Sequence, residues 1–92
     1  MSHEIKHDKE NQQFITNVEG KDAYLRYLMR DENTIDFHHT YVPGELRGKG
    51  LAAEVVKEGF EYAGKNKLKV IPTCPYIHTF LQKFPEYEKY IK

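Results

Sequence analysis

The chain has one cysteine and no tryptophan in 92 residues. A lone cysteine cannot close an internal disulfide, so a stapled secreted scaffold is excluded and a reducing compartment, the cytoplasm, is the expected location. Charge of one sign is also missing. The 14 basic and 14 acidic residues cancel, which leaves no basic field for nucleic acid and no polybasic run for an anionic membrane. No segment is long and apolar enough to span a bilayer, and Met1-Ser2-His3-Glu4-Ile5-Lys6-His7 has no apolar core of the kind a secretory leader needs. His3 and His7 are too scattered for a metal tract and read as surface residues. No metal is expected. His38, His39, Cys74 and His78 form a poor zinc set, because adjacent strand residues point to opposite faces and no paired Cys-x-x-Cys or His-x-x-x-His occurs. No Ser-His-Asp or paired-carboxylate motif stands out, and Asp31-Glu32 reads as a solvated turn.

What is present suffices for a single small domain over residues 1–92, able to bury about 60–65% of the surface of its unfolded chain. Apolar residues make up 39% and aromatic residues 13%. The first forty residues alternate like strands and are punctuated like hairpins. Ile5 falls in a short first strand, Asp8-Lys9-Glu10-Asn11 turns the chain, and Gln13–Val18 forms a second strand. After Glu19-Gly20-Lys21-Asp22, a third strand places Ala23, Leu25, Tyr27 and Met29 on one face. Beyond the turn Arg30-Asp31-Glu32-Asn33, a fourth strand places Ile35, Phe37, His39 and Tyr41 on one face and Asp36, His38, Thr40 and Val42 on the other.

Apolar or small residues at Leu51, Ala52, Val55, Val56, Gly59, Phe60 and Ala63 predict an amphipathic helix over 51–65, stopped by Gly64 and Asn66. Leu68–Thr73 reads as a fifth strand, parallel to the fourth because a whole helix crosses between them. A second helix starts near Pro75 and stops before Pro85. The order is β-β-β-β-α-β-α: a mixed α+β and α/β arrangement in which an antiparallel meander meets one parallel β-α-β unit.

Between the fourth strand and the first helix lies Val42-Pro43-Gly44-Glu45-Leu46-Arg47-Gly48-Lys49-Gly50-Leu51-Ala52. The first N–H groups of a helix lack intrahelical partners and point along the positive end of its dipole, and glycines let that backbone come close to a phosphate. Two formal phosphate signatures are absent. Gly44 to Lys49 lacks the register and the hydroxyl of a Walker loop, and Ala53 occupies the last position of a Gly-x-Gly-x-x-Gly.

The remaining pattern, Arg47-x-x-Gly50-x-Ala52, resembles the Arg/Gln-x-x-Gly-x-Gly/Ala signature of the GNAT (GCN5-related) N-acetyltransferases. His39-Thr40-Tyr41-Val42, Lys69-Val70-Ile71-Pro72-Thr73-Cys74 and Phe84-Pro85-Glu86-Tyr87 extend the likeness to the small, minimal group of that family, which lacks the usual first helices and last strands. The resemblance implies a truncated GNAT-like fold and acetyl-CoA as co-substrate, its pyrophosphate on the amides of Arg47, Gly48, Lys49, Gly50, Leu51 and Ala52. It places the pantetheine arm near Tyr41 and Val42, between the ends of the fourth and fifth strands, with Cys74 and Tyr76 beside it. The implied reaction is attack of an amine on the thioester, the amine belonging to a protein lysine or an N-terminus, and the enzyme acting as monomer or homodimer.

Leu81 stands where larger relatives carry a proton-donating tyrosine, so another group or a bound water has to supply that proton. Cys74, at a strand end and a helix start, is one catalytic candidate, as nucleophile or proton donor, against the plain reading of a buried small residue. His39 is the other, as general base, against a hydrogen-bonded wall residue. A non-catalytic acyl-CoA-binding or sensor module is the alternative function.

Overall fold

A computed structural model describes residues 3–92. Met1 and Ser2, the start of the segment read above for a leader, lie outside the described residues. The strands are β1 (Lys6–Asp8), β2 (Gln13–Val18), β3 (Lys21–Asp31), β4 (Thr34–Tyr41) and β5 (Lys69–Ile71). The helices are α1 (Leu51–Lys65) and α2 (Pro75–Lys83), with 3₁₀ turns at Gly44–Leu46 and Pro85–Tyr90. All five strands form one sheet in the order β1-β2-β3-β4-β5, antiparallel except for the parallel β4–β5 pair.

Local chemistry explains the meander. The β2–β3 loop is Glu19-Gly20, both with positive φ, as a two-residue turn matched to strand twist requires. The β3–β4 turn is held by Asp31, whose Oδ1 accepts the Asn33 N–H at 2.8 Å. On one face of the sheet Phe14, Leu25, Tyr27, Ile35 and Phe37 are buried beneath Val55, Val56, Phe60 and Ala63 of α1, and beneath Ile77, Phe80 and Leu81 of α2. The rings of Phe60 and Phe80 stack at 5.6 Å, and Phe37 meets Phe60 edge-on at 5.2 Å, so the aromatics tie both helices to β4. Among the described residues, the opposite face of the sheet carries no helix.

Four sequence expectations are corrected. The first strand is centred on His7, one to three residues beyond Ile5. His7 is no plain surface residue: its ring stacks on Phe14 at 4.2 Å, meets Tyr62 edge-on at 4.4 Å, and its Nε2 lies 2.6 Å from the Tyr27 hydroxyl. β5 is only Lys69–Ile71, because Pro72 has no N–H to continue the ladder. Ile91 bridges to Val70 in parallel, and the Lys92 N–H donates to the Val70 carbonyl at 2.9 Å.

The fourth correction bears on function. Arg26 pairs with His39 and Tyr27 with Phe37, so His38 is an extra residue on β4, a β-bulge. The bulge shifts the alternation by one. Ile35 and Phe37 face the helices as expected, but beyond the bulge Thr40 lies opposite buried Leu25 while His39 and Tyr41 lie opposite Arg26 and Tyr24 on the uncovered face.

Candidate coenzyme cleft

The cleft opens where β4 and β5 part. Their ladder ends at Asp36 and Ile71, and the last link is the Cys74 N–H donating to the Phe37 carbonyl at 2.9 Å. From the bulge to Tyr41, β4 has no β5 neighbour, since β5 ends at Ile71. On the helix side of this split lies a cleft of about 590 Å³, within the size range of small-molecule sites. Its floor is Thr40, Tyr41 and Val42; its far end is the glycine loop and the first turn of α1.

The loop is held from below. Leu46, in the 3₁₀ turn, is fully buried against Ala23 and Leu51, with Val18 and Val42 packed around them. Burying a leucine side chain contributes about 2 kcal/mol, which anchors a segment otherwise made of glycine and charge. Gly48 and Gly50 take φ of 87° and 78°, left-handed values that cost an ordinary residue roughly 1–2 kcal/mol. Gly50 is the N-cap of α1 and supplies no side-chain cap. The first intrahelical bond is Glu54 N–H to Gly50 carbonyl at 3.1 Å, so helix geometry leaves the amides of Leu51, Ala52 and Ala53, all cleft-lining residues, without intrahelical acceptors. A Cβ built at Gly48 or Gly50 meets nothing within 4 Å, so the backbone here is open to a bulky group. The donor set fits an anion such as a pyrophosphate.

Of the sequence-predicted contacts, Tyr41, Val42, Arg47, Gly48, Gly50, Leu51, Ala52 and Tyr76 all line this cleft. Arg47 donates one N–H, from Nε, to the Val42 carbonyl at 3.3 Å, which holds the guanidinium across the loop with its other donors free of that bond. Lys49 is not brought to the cleft. Its ammonium lies 3.8 Å from the Glu19 carboxylate in a solvent-exposed pair, because the left-handed glycines on either side turn residue 49 away. Cys74 is buried behind the wall, at the N-cap of α2, with its thiol 3.4 Å from the Thr40 hydroxyl; it reaches the cleft through Thr40. His39 lies across the sheet, where the bulge sends it, exposed and 6.1 Å from the ring of Tyr24. The expectation that it shares a face with Ile35 and Phe37 is overturned.

Sequence reasoning missed Thr40, Leu46, Ala53, Lys83 and Phe84 as cleft residues. In a strand without the bulge, Thr40 falls on the face opposite Ile35 and Phe37. Lys83 and Phe84 end α2, and their approach to the loop follows from tertiary packing; the Lys57 ammonium lies 4.1 Å over the Phe84 ring and ties it to α1. Tyr76 is half-buried in the wall, and desolvation, with a smaller contribution from neighbouring Cys74, raises its phenol above the ordinary value. It therefore remains a proton donor at neutral pH. Leu81 is buried in the core and offers no proton. Among the described residues no group of histidines, cysteines and carboxylates could hold a metal ion, and no helix is long and apolar enough to cross a membrane.

Comparison with known proteins bears on the same residues. A family model described as GCN5-related N-acetyl-transferase matches residues 13–90. The chain is 31% identical over 83 residues to the protein NATD1 of Xenopus tropicalis, covering 88% of this chain and 76% of that one. The NATD1 proteins of Danio rerio and Homo sapiens are similar, at 32% and 30% identity over 83 residues, with 76% and 74% of their lengths covered. A solution NMR structure of a GCN5-like protein from Staphylococcus aureus superposes with a TM-score of 0.76 at 30% identity, covering 100% of this chain and 91% of that chain.

Proposed function

The chain belongs to the GCN5-related N-acetyltransferase family, and on that premise we propose that it transfers an acetyl group from acetyl-CoA to an amine. The observation that carries the reading is the set of free amides at the start of α1, opening into a cleft that runs to the split between β4 and β5. The amides suit the pyrophosphate, and Arg47 and Lys83 add positive charge around them. The pantetheine arm then lies along Tyr41 and Val42, where β4 main chain without a β5 neighbour supplies hydrogen bonds and a donor for the thioester carbonyl.

In the reaction the amine nitrogen forms a bond to the acetyl carbon, the carbon–sulfur bond breaks, the amine gives up a proton and the coenzyme thiolate takes one. The protein contributes proximity and carbonyl polarisation. With Leu81 unable to donate, the Tyr76 phenol in the cleft wall is a suitable acid for the thiolate. The Cys74 thiol, one hydroxyl away behind Thr40, serves either as a second donor or as a transient acetyl acceptor. His39 acts from the uncovered face, as a base toward an amine arriving there. The acceptor is a protein lysine or N-terminal amine, and the chain works as a monomer or homodimer.

An amide-resolved NMR titration with acetyl-CoA tests this. Saturable shifts at Gly48, Gly50, Leu51 and Ala52, together with loss of the acetyl group to an added amine, are expected. Absence of shifts at millimolar ligand would remove the reading. Binding without transfer to any amine would favour an acyl-CoA-binding or sensor module, a reading supported by the buried leucine at position 81.

A further inference from the structure

Beyond the last ladder pair, Asp36 with Ile71, the β4 edge is unpaired and borders both faces of the sheet. With acetyl-CoA in the helix-side cleft, an acceptor must come from the uncovered face, so the inference below rests on the proposed function. The side chains beside the split on that face are Arg26, His38, His39 and Tyr41, with the Asp36–Arg30 pair at its closed end. Arg26 is exposed and its guanidinium lies 4.6 Å over the ring of Tyr24; that ring in turn packs 5.6 Å from Tyr41. His38 lines a shallow hollow with Arg26 and Leu28.

The charge at this mouth is one-sided although the chain as a whole is neutral. Asp36 is the carboxylate beside the split, and it is 1% exposed. Its Oδ2 accepts both Arg30 Nε at 2.9 Å and Arg30 Nη2 at 2.7 Å, so its charge is neutralised within the protein. Of the other carboxylates of the face, Asp8 and Asp22 lie on β1 and at the start of β3, bonded to Asn11 and Asn17 respectively, and Asp31 lies at the far end of β3, where its Oδ1 accepts the Asn33 N–H at 2.8 Å. A polyamine or a lysine-rich tail would find no free carboxylate beside the split among the described residues, and would meet Arg26 and the imidazoles instead. Carboxylates flanking the amine would meet a complementary surface.

We infer that the uncovered face beside the split takes an acidic peptide: a lysine or N-terminal amine flanked by aspartate or glutamate, the flanking carboxylates on Arg26 and the His38–His39 pair and the amine in the split. The aromatic pair Tyr24 and Tyr41 forms the apolar floor under such a segment.

The test is a set of NMR titrations of the full chain, with and without saturating coenzyme A. The probes are a short peptide with one lysine among aspartates and glutamates, the same peptide with arginines in place of the acids, and spermidine. The acidic peptide is expected to shift the amides of Arg26, His39 and Tyr41 and to bind at least about tenfold more tightly than the other two at low salt, the margin narrowing as salt rises. Arg26→Glu, a change at an exposed side chain, should cut that preference at least about fivefold. Equal binding of the three probes, a preference for the basic peptide or spermidine, or shifts that depend on protein concentration alone would overturn the inference, the last by showing that a second copy covers the face. Shifts at Gly48 and Gly50 on adding coenzyme A, read in the same samples, report separately on the coenzyme site. The acceptor inference can therefore fail while the proposed reaction stands.

Discussion

Replacing Gly59 by alanine isolates the contact that sets α1 on the sheet. In an exposed helix interior alanine is favoured over glycine by about 0.8–1.0 kcal/mol. At Gly59 that gain is opposed. A Cβ there would stand 2.8 Å from Leu25 Cδ2 and 2.9 Å from Phe37 Cζ, and both side chains are fully buried. Phe37 is also held edge-on by Phe60 at 5.2 Å, so its ring has little room to yield. Overpacking of this kind costs about 1–3 kcal/mol. The net expectation is a loss of about 1 kcal/mol, or about 4–8 °C in Tm for a chain of this size.

Gly64, one turn further along the same helix, is the internal control. Its Cβ would meet the Tyr90 ring at 2.9–3.1 Å, but Tyr90 is half-buried in the C-terminal 3₁₀ turn and can swing outward. There the propensity gain survives, and Gly64→Ala should be neutral or stabilising by up to about 0.5 kcal/mol. Thermal and urea unfolding of the two variants measures the difference. If Gly59→Ala raises Tm as much as Gly64→Ala does, close helix–sheet approach is not why a glycine stands at position 59. A lift of α1 off the sheet also moves its first turn, so Gly59→Ala should weaken acetyl-CoA binding as well.

Leu46→Ala removes the apolar anchor under the glycine loop; it should destabilise by about 2–4 kcal/mol and weaken coenzyme binding in titration calorimetry, whereas unchanged affinity would show that the loop holds its shape without it. Gly50→Ala meets no atom within 4 Å, so its cost is left-handed strain alone, about 1–2 kcal/mol, and relief of that strain should turn the first α1 amides and lower coenzyme affinity at least about fivefold; affinity at the wild-type level would count against the anion site. Desolvation chiefly, then the charge of Lys9, lowers the His7 pKa below its ordinary 6.5, partly offset by Asp8. The unfolded chain thus takes up that proton first, and stability falls as pH drops from about 6.5 through the folded value; His7→Phe, which keeps the ring stack, should flatten that slope in urea titrations between pH 7 and 5. Cys74→Ala should leave acetyl-CoA binding within about twofold, since the thiol lies behind Thr40, and a fall in transfer rate with unchanged affinity would assign the thiol a chemical part.

The parts of the molecule legible in the sequence are those where one residue type admits one environment. The apolar spacing from Leu51 to Ala63 matches α1 as observed, and Pro75 marks the start of α2. Gly48 and Gly50 mark the turn because only glycine takes those φ values without strain. The bulge left no such mark. His38 and His39 are both polar enough for solvent and both able to pack, so a slip of one residue between them carries no penalty that a pattern could register. Yet that slip decides the candidate site: it delivers the Thr40 hydroxyl to the helix-side cleft, against the Cys74 thiol, and turns His39 and Tyr41 to the uncovered face. Leu46 was hidden for a related reason, since one apolar residue among glycines and charges has no period, and its burial depends on Ala23 and Val18 brought from a distant hairpin. The two-sidedness of the site is therefore a product of tertiary structure. A strand that ran in register from Thr34 to Tyr41 would leave Thr40 on the uncovered face and turn His39 into the helix-side cleft, away from Arg26.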